Sequence, residues 1–201
     1  MEPIILASGS PRRQELLKQI GVPFEVVKSD AEELTEVPKK ENWYIDLATE
    51  NAKRKAVDVA YRYRGRLVLA ADTVVYSEST DSIYGKPKNE GDAKRMLREL
   101  AAQDHYVCTA VALVIPDAND RNKATISLDS DATIVSFRGI TEQEIEDYVA
   151  TGEPMDKAGA YAIQGLGAIF VEQIEGSYST VVGLPLYETS RLLMRAGVKI
   201  L

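Results

Sequence analysis

The chain is poor in the residues that build disulfides and soft metal sites. Among its 201 residues there is one cysteine, Cys108, and one histidine, His105. A lone cysteine excludes an internal disulfide framework and a cysteine-based metal cluster. Cys108 alternates within an apolar strand and reads as a small core residue. A single histidine gives no basis for a serine–histidine triad, so a structural or surface role is expected of His105. Long hydrophobic runs are also missing. None approaches the roughly 20 residues of a membrane span, and Arg12, Arg13 and Glu15 interrupt the apolar start of the chain where a signal peptide would need a longer core. A cytoplasmic protein with no membrane partner is expected. Positive charge is scarce too: 31 acidic residues oppose 24 basic ones, for a net charge of −7. That excludes a nucleic-acid polymer read through its phosphate backbone, which needs a basic face. It leaves room for a small phosphorylated ligand held by a local cluster of Lys and Arg. Repeats, heptads and a clean linker are absent, and the expectation is one domain, 1–201, of two lobes with a cleft between them.

What is present is an alternation of strand and helix, pointing to an α/β fold with a mixed, largely antiparallel long sheet flanked by helices. Ile4-Ile5-Leu6-Ala7 reads as a buried strand, Phe24–Lys28 as a second, residues 29–41 as an acidic loop, and Asn42 to Tyr63 as a long helix. Leu67–Tyr76 is a strong strand, with a hairpin or loop over 77–85. Asn89 caps a helix that runs through Leu100. His105–Ile115 and Thr125–Phe137 form a long antiparallel pair around a polar turn. Thr141-Glu142-Gln143-Glu144 is a capping box opening a helix that ends near Gly152. A glycine-punctuated loop over 153–167, a strand from Ala168 to Glu175 and a last helix from Pro185 to Gly197 complete the chain.

Two local conflicts mark candidate chemistry. The first is Ser8-Gly9-Ser10-Pro11-Arg12-Arg13. Ser10 suits an N-cap and Pro11 the first helical position, so the segment is a strand, a turn and a helix start. Two cations in a first helical turn oppose the helix dipole, at a cost of about 0.3–1 kcal/mol each when exposed. A bound polyphosphate would reverse that sign, because the free N–H groups and the arginine forks both suit phosphate oxygens. Solvated arginines, one of them paired with Glu15, are the plainer alternative.

The second is Asp72, alone in the apolar run from Leu67 to Tyr76. An unpaired buried carboxylate costs several kcal/mol, so Asp72 must be paired, hold a metal or face a cleft. It is a candidate general base or metal ligand, against the alternative of a paired structural aspartate. On the helix over 42–63, Ala48, Ala52, Ala56, Val59 and Tyr63 form an apolar stripe. Lys55 lies roughly 60° from its centre and can reach inward, whereas Lys53 and Arg54 fall on the outer face. Gly85-Lys86-Pro87, between a strand and a helix, resembles a phosphate-contacting turn but is not a Walker A motif. Asp30, Glu32 and Glu33 are either a solvated run or hard oxygen ligands for Mg²⁺ or Mn²⁺. Trp43, beside this loop, reads as a packing anchor.

Taken in order, these segments resemble the Maf family of nucleoside triphosphate pyrophosphatases along nearly the whole chain. The resemblance is carried by Leu6 to Leu17, Lys55-Ala56, Ala71-Asp72-Thr73, Gly85-Lys86-Pro87, Asp92-Ala93 with Met96-Leu97, Gly152 to Tyr161 with Ile163-Gln164-Gly165, and Val182 to Leu186. It implies a Maf/ITPase-like fold, a homodimer, a divalent cation (Mg or Mn), and hydrolysis of a nucleoside triphosphate to the monophosphate and pyrophosphate. By motif, Asp72 matches the family's proton acceptor and Glu33 its acidic partner; both are implied metal ligands. Ser8, Ser10, Arg13, Lys55 and Lys86 match its phosphate-side residues. Lys53 and Glu32 are the alternatives to Lys55 and Glu33 in a shifted alignment. Arg12, Thr73 and Gln164 occupy the positions that separate the family's branches. They resemble the branch acting on dTTP and UTP, including modified uridine and thymidine nucleotides, in the house-cleaning of nucleotide pools. A 7-methyl-GTP pyrophosphatase of the same family is the alternative within the enzyme class. A nucleotide-binding regulator of septum formation is the alternative outside it.

Overall fold

The apolar run at the start of the chain becomes a strand that is covered on both sides. In the computed structural model, which describes residues 2–120 and 122–201, β1 (Ile4–Leu6) lies between β2 (Phe24–Val26) and β3 (Val68–Ser77) and is parallel to both. All three of its side chains are buried, as a central parallel strand requires. β3 also pairs antiparallel with β4 (Ser82–Tyr84). The long strands β5 (Asp104–Pro116) and β6 (Ala124–Phe137), followed by β7 (Val171–Glu175), complete a mixed sheet. Its order is β2-β1-β3-β5-β6-β7, with β4 attached to β3. The helices are α1 (Pro11–Gln19), α2 (Trp43–Arg62), α3 (Glu90–Leu100), α4 (Glu142–Ala150), α5 (Tyr178–Val182) and α6 (Leu186–Arg195). None of them is long and apolar enough to cross a membrane.

The chain divides into two compact units. The first comprises Met1–Asp72, Thr109–Asp131 and Gly183–Leu201. Here α2 buries Ala48, Ala52, Ala56 and Val59 completely, and the small alanines allow close approach to its neighbours. Tyr63, assigned to this stripe by spacing, is instead 39% exposed. It is the C-cap, with φ at −121°, and the chain turns away before the stripe is complete. The acidic loop has almost no regular structure of its own, yet it is tied along one face of α2. Asn51, Arg54, Asp58 and Arg62, three or four residues apart, share that face. Arg62 donates to the carbonyl of Lys28 (2.9 Å), and Asp58 accepts from the Ser29 hydroxyl (2.8 Å) and the Asp30 amide (2.9 Å). Arg54 donates to the carbonyl of Glu32 (3.2 Å), and Asn51 bonds both backbone groups of Leu34.

The second unit comprises Thr73–Cys108 and Ala132–Val182. Its core joins Leu97 and Leu100 of α3, Ile145 and Val149 of α4, Val135 and Phe137 of β6, and Phe170. His105 is fully buried here, edge-on to Phe137 and Tyr161, with its Nε2 2.9 Å from the Tyr161 hydroxyl. Burial pushes its pKa down to about 4; its role is structural. Several boundaries differ from expectation: β2 ends at Val26, not Lys28, and α5 falls where no helix is expected. β7 begins at Val171, not Ala168, because residues 166–170 form a 3₁₀ turn. The Glu153 carboxylate holds that turn by accepting from the amides of Leu166 (3.0 Å) and Gly167 (3.1 Å). The loop over 153–167 likewise contains two short 3₁₀ turns. At Gly159, φ is +71° and a Cβ would stand 3.1 Å from a methyl of Val75. Only glycine meets both conditions without strain.

Candidate active site

The site of the first unit begins where β1 ends. In parallel α/β arrangements the carboxyl ends of strands are where ligands bind. Leu6 pairs with Leu69, so Asp72 lies three residues further along β3, beyond the last residue of β1. Past that same end of β1 runs the turn Ser8-Gly9-Ser10 into α1. Ser8 is buried, and its Oγ accepts from the Ser10 amide (3.3 Å) and from Arg13 Nη1 (3.2 Å). Ser10 takes the N-cap position, but its side chain makes no capping bond. That corrects the expectation of a serine cap. The turn is shaped by Ser8 instead, and the Ser10 hydroxyl is not committed to the helix start.

Arg13 turns back from α1, its Nε donating to the carbonyl of Gly183 at 2.7 Å. Burial lowers its pKa; Asp72 and Glu33 oppose that shift and Arg12 reinforces it. Thus the cation that offends the helix dipole is matched by carboxylates from β3 and the acidic loop. Arg12, its neighbour, is half-buried.

Asp72 is 6% exposed. Its Oδ1 lies 2.5 Å from Lys55 Nζ, and the same ammonium lies 2.5 Å from Glu33 Oε1. Burial raises the Asp72 pKa; Lys55, first, and Arg13 pull it back, Glu33 adds to the rise, and the net shift is upward. Lys53 faces the other way and pairs with Glu50 at 3.1 Å. Glu32 contributes its backbone carbonyl to Arg54 and keeps an exposed side chain. Ser8, Arg13, Glu33, Lys55 and Asp72 are therefore linked through direct bonds and short-range charge. Lys86, Thr73 and Gln164 belong to the second unit. Lys86 is exposed in a turn whose Gly85 carbonyl accepts from the Gly159 amide at 3.2 Å. Thr73 is half-buried on β3, and Gln164 is exposed in the turn before residue 166.

One residue of the cluster escaped the reading of the sequence. Asn51 is 3% exposed, accepts from the Leu34 amide (2.7 Å), donates to the Leu34 carbonyl (3.0 Å), and approaches Asp72 Oδ2 at 3.4 Å. Periodicity gave no signal for it: Asn51 lies about 100° from the centre of the apolar stripe, as far as Lys53, and it is the loop, bonded through Leu34, that covers it.

Among the described residues, no group of three or more His, Cys, Asp or Glu side chains could hold a metal. The two carboxylates that do converge, Glu33 and Asp72, meet on the Lys55 ammonium. Two carboxylates fit Mg²⁺ or Mn²⁺ in the mode where substrate phosphates and water complete the shell, not a cage made wholly of protein.

Residues 3–196 match the family described as Maf-like protein. The chain belongs to the Maf family. It is 48% identical to a dTTP/UTP pyrophosphatase of Acetivibrio thermocellus, over all of this chain and 98% of the relative. It is 46% identical to a dTTP/UTP pyrophosphatase of Dictyoglomus thermophilum, over 98% of each. Among solved structures, a HAM1 protein from Coxiella burnetii aligns with a TM-score of 0.53 at 16% identity, covering 97% of this chain and all of the other. That similarity is one of fold: the Maf chain shares the mixed α/β architecture of HAM1-type proteins.

Proposed function

We propose that this Maf protein hydrolyses dTTP and UTP, and modified uridine and thymidine triphosphates, to the monophosphate and pyrophosphate, as a hydrolase acting on acid anhydrides. The observation that carries the reading is the Asp72–Lys55–Glu33 cluster beside the uncapped start of α1, in a chain 46% and 48% identical to two dTTP/UTP pyrophosphatases. Asp72 has the upward-shifted pKa that suits a general base. It accepts a proton from the water that attacks the α-phosphorus; the bond from that phosphorus to the bridging oxygen breaks, and pyrophosphate leaves with the electron pair. Lys55, Arg13 and Lys86 offset the charge of the phosphates, with Ser8 and Ser10 bonding phosphate oxygens at the turn. The work is positioning and charge stabilisation, as in phosphoryl transfer generally. Glu33 and Asp72 would hold a divalent cation, Mg²⁺ or Mn²⁺, which supplies charge neutralisation at the phosphate oxygens when bound. Lys55, relieved of its two carboxylates, is then available to the triphosphate.

Arg12, Thr73 and Gln164 set the base preference in this reading. An amide such as Gln164 both donates and accepts, as the edge of uracil or thymine requires. The protein works in the cytoplasm as a homodimer, a mass of twice 22.1 kDa in solution, guarding the nucleotide pool. The test is pyrophosphate release from a panel of nucleoside triphosphates, with Mg²⁺ and with Mn²⁺. UTP and dTTP should lead. A preference for 7-methyl-GTP would overturn the roles given to Arg12, Thr73 and Gln164. Binding without turnover of any triphosphate would leave a nucleotide-responsive regulator instead of an enzyme.

A further inference from the structure

We infer that Asn51 is a positioning residue for this hydrolysis: its one carboxamide holds the acidic loop and the Asp72 carboxylate in a fixed relation. The inference rests on the proposed function. A carboxamide has two N–H donors and one carbonyl acceptor, and all three face named partners. Oδ1 accepts from the Leu34 amide, one N–H of Nδ2 donates to the Leu34 carbonyl, and the other faces Asp72 Oδ2. Leu34 directly follows Glu33, so the amide fixes the backbone next to one carboxylate while it approaches the other.

Lys55 makes the second link between the same two groups, through Asp72 Oδ1 and Glu33 Oε1. Asn51 lies one helical turn before Lys55 on α2, so both links start from the same helix face. The two differ in kind. The ammonium ends a flexible four-carbon stem and exchanges partners when phosphate arrives. The amide is 3% exposed, neutral and held at both ends by backbone. When Lys55 moves to substrate, Asn51 still keeps the loop in place and Asp72 oriented. Its contact with Asp72 is the long one at 3.4 Å, in keeping with catalytic bonds that tighten only with substrate present.

The test compares Asn51→Ala, Asn51→Asp and a core variant of the second unit, Val135→Ala, by kcat and KM for UTP well below the unfolding temperature. Cleavage of the loop at Glu32, Glu33 and Glu36 by a glutamate-specific protease is followed in parallel. Asn51→Ala should lower kcat roughly ten- to a hundredfold, change KM less than about threefold, and speed loop cleavage. Asn51→Asp keeps an acceptor for the Leu34 amide but sets an acceptor against Asp72. It should lose at least as much kcat as Asn51→Ala while the loop is partly protected again. Val135→Ala should lose stability through a cavity and keep kcat. Wild-type kcat in Asn51→Asp, or losses that track only the folded fraction, would overturn the inference alone. A wild-type chain that releases no pyrophosphate from any triphosphate would overturn the functional reading and this inference with it.

Discussion

α1 and α3 begin in opposite ways. At α3 the Asn89 side chain accepts from the Asp92 amide, and Glu90 and Asp92 occupy the first turn, where the dipole favours acids. At α4, Thr141 and Glu144 close a complete reciprocal capping box. At α1, in the other unit, the Ser10 side chain makes no cap, no acid lies in the first turn, and Arg12 and Arg13 follow Pro11. The carboxylates show the same contrast. Glu153 accepts from the Leu166 and Gly167 amides and the Tyr148 hydroxyl. Burial would raise its pKa, but those bonds outweigh it and the net shift is downward. Asp72 is matched by a side-chain ammonium and a long amide contact, and its pKa shifts up. A polar group closed by backbone is part of the fold. One matched by other side chains can take a ligand in their place, as the proposed function requires of Asp72.

The sharpest way to break this contrast is Asp72→Asn. Turnover of UTP should fall about a thousandfold while the melting temperature stays near that of the wild type. Near-normal turnover would remove Asp72 from the mechanism. His105 should give the next largest effect, on stability alone. Its native pKa of about 4 lies below the ordinary 6.5, so between those values the unfolded chain binds the extra proton. The stabilising contribution is complete above pH 6.5 and is lost as pH falls toward 4, up to about 3 kcal/mol. Urea unfolding of wild type and His105→Gln across that window should show the steeper decline in the wild type; parallel curves would refute the buried neutral imidazole.

Glu153→Gln should cost roughly 1–3 kcal/mol in chemical unfolding, with a far smaller loss of turnover per folded molecule than Asp72→Asn. Equal losses in both variants would erase the distinction between the two carboxylates. Smallest, and most direct on the helix starts, is the pair Asn89→Ala and Ser10→Ala. The first should cost about 1 kcal/mol for a lost cap; the second should stay within about 0.5 kcal/mol while KM for UTP rises several-fold. A Ser10→Ala variant as unstable as Asn89→Ala would mean that this serine serves the helix after all.

Local chemistry made much of this legible. The turn into α1 announced itself by cations in the wrong turn, Asp72 by its isolation in an apolar strand, and the caps of α3 and α4 by residues three apart. What escaped was non-local. β7 starts late because Glu153 holds residues 166 and 167, a contact across more than ten residues. Tyr63 left its stripe because α2 ends at Arg62.

Periodicity could rank Lys55 above Lys53 by helix face, but not name its partners. The loop over 29–41 shows only acidity in its composition; that it lies along α2, with Glu33 brought to Lys55 and Leu34 to Asn51, follows from contacts spanning 17 to 29 residues. The residues themselves determined which groups are charged, where the caps of α3 and α4 lie and which carboxylate sits among apolar neighbours, because those depend on the nearest few positions; that Ser10 leaves α1 uncapped was decided by the turn that Ser8 shapes. Only the tertiary structure decided which cation meets which carboxylate, because a side chain's partner is chosen by the packing of segments far apart in the chain.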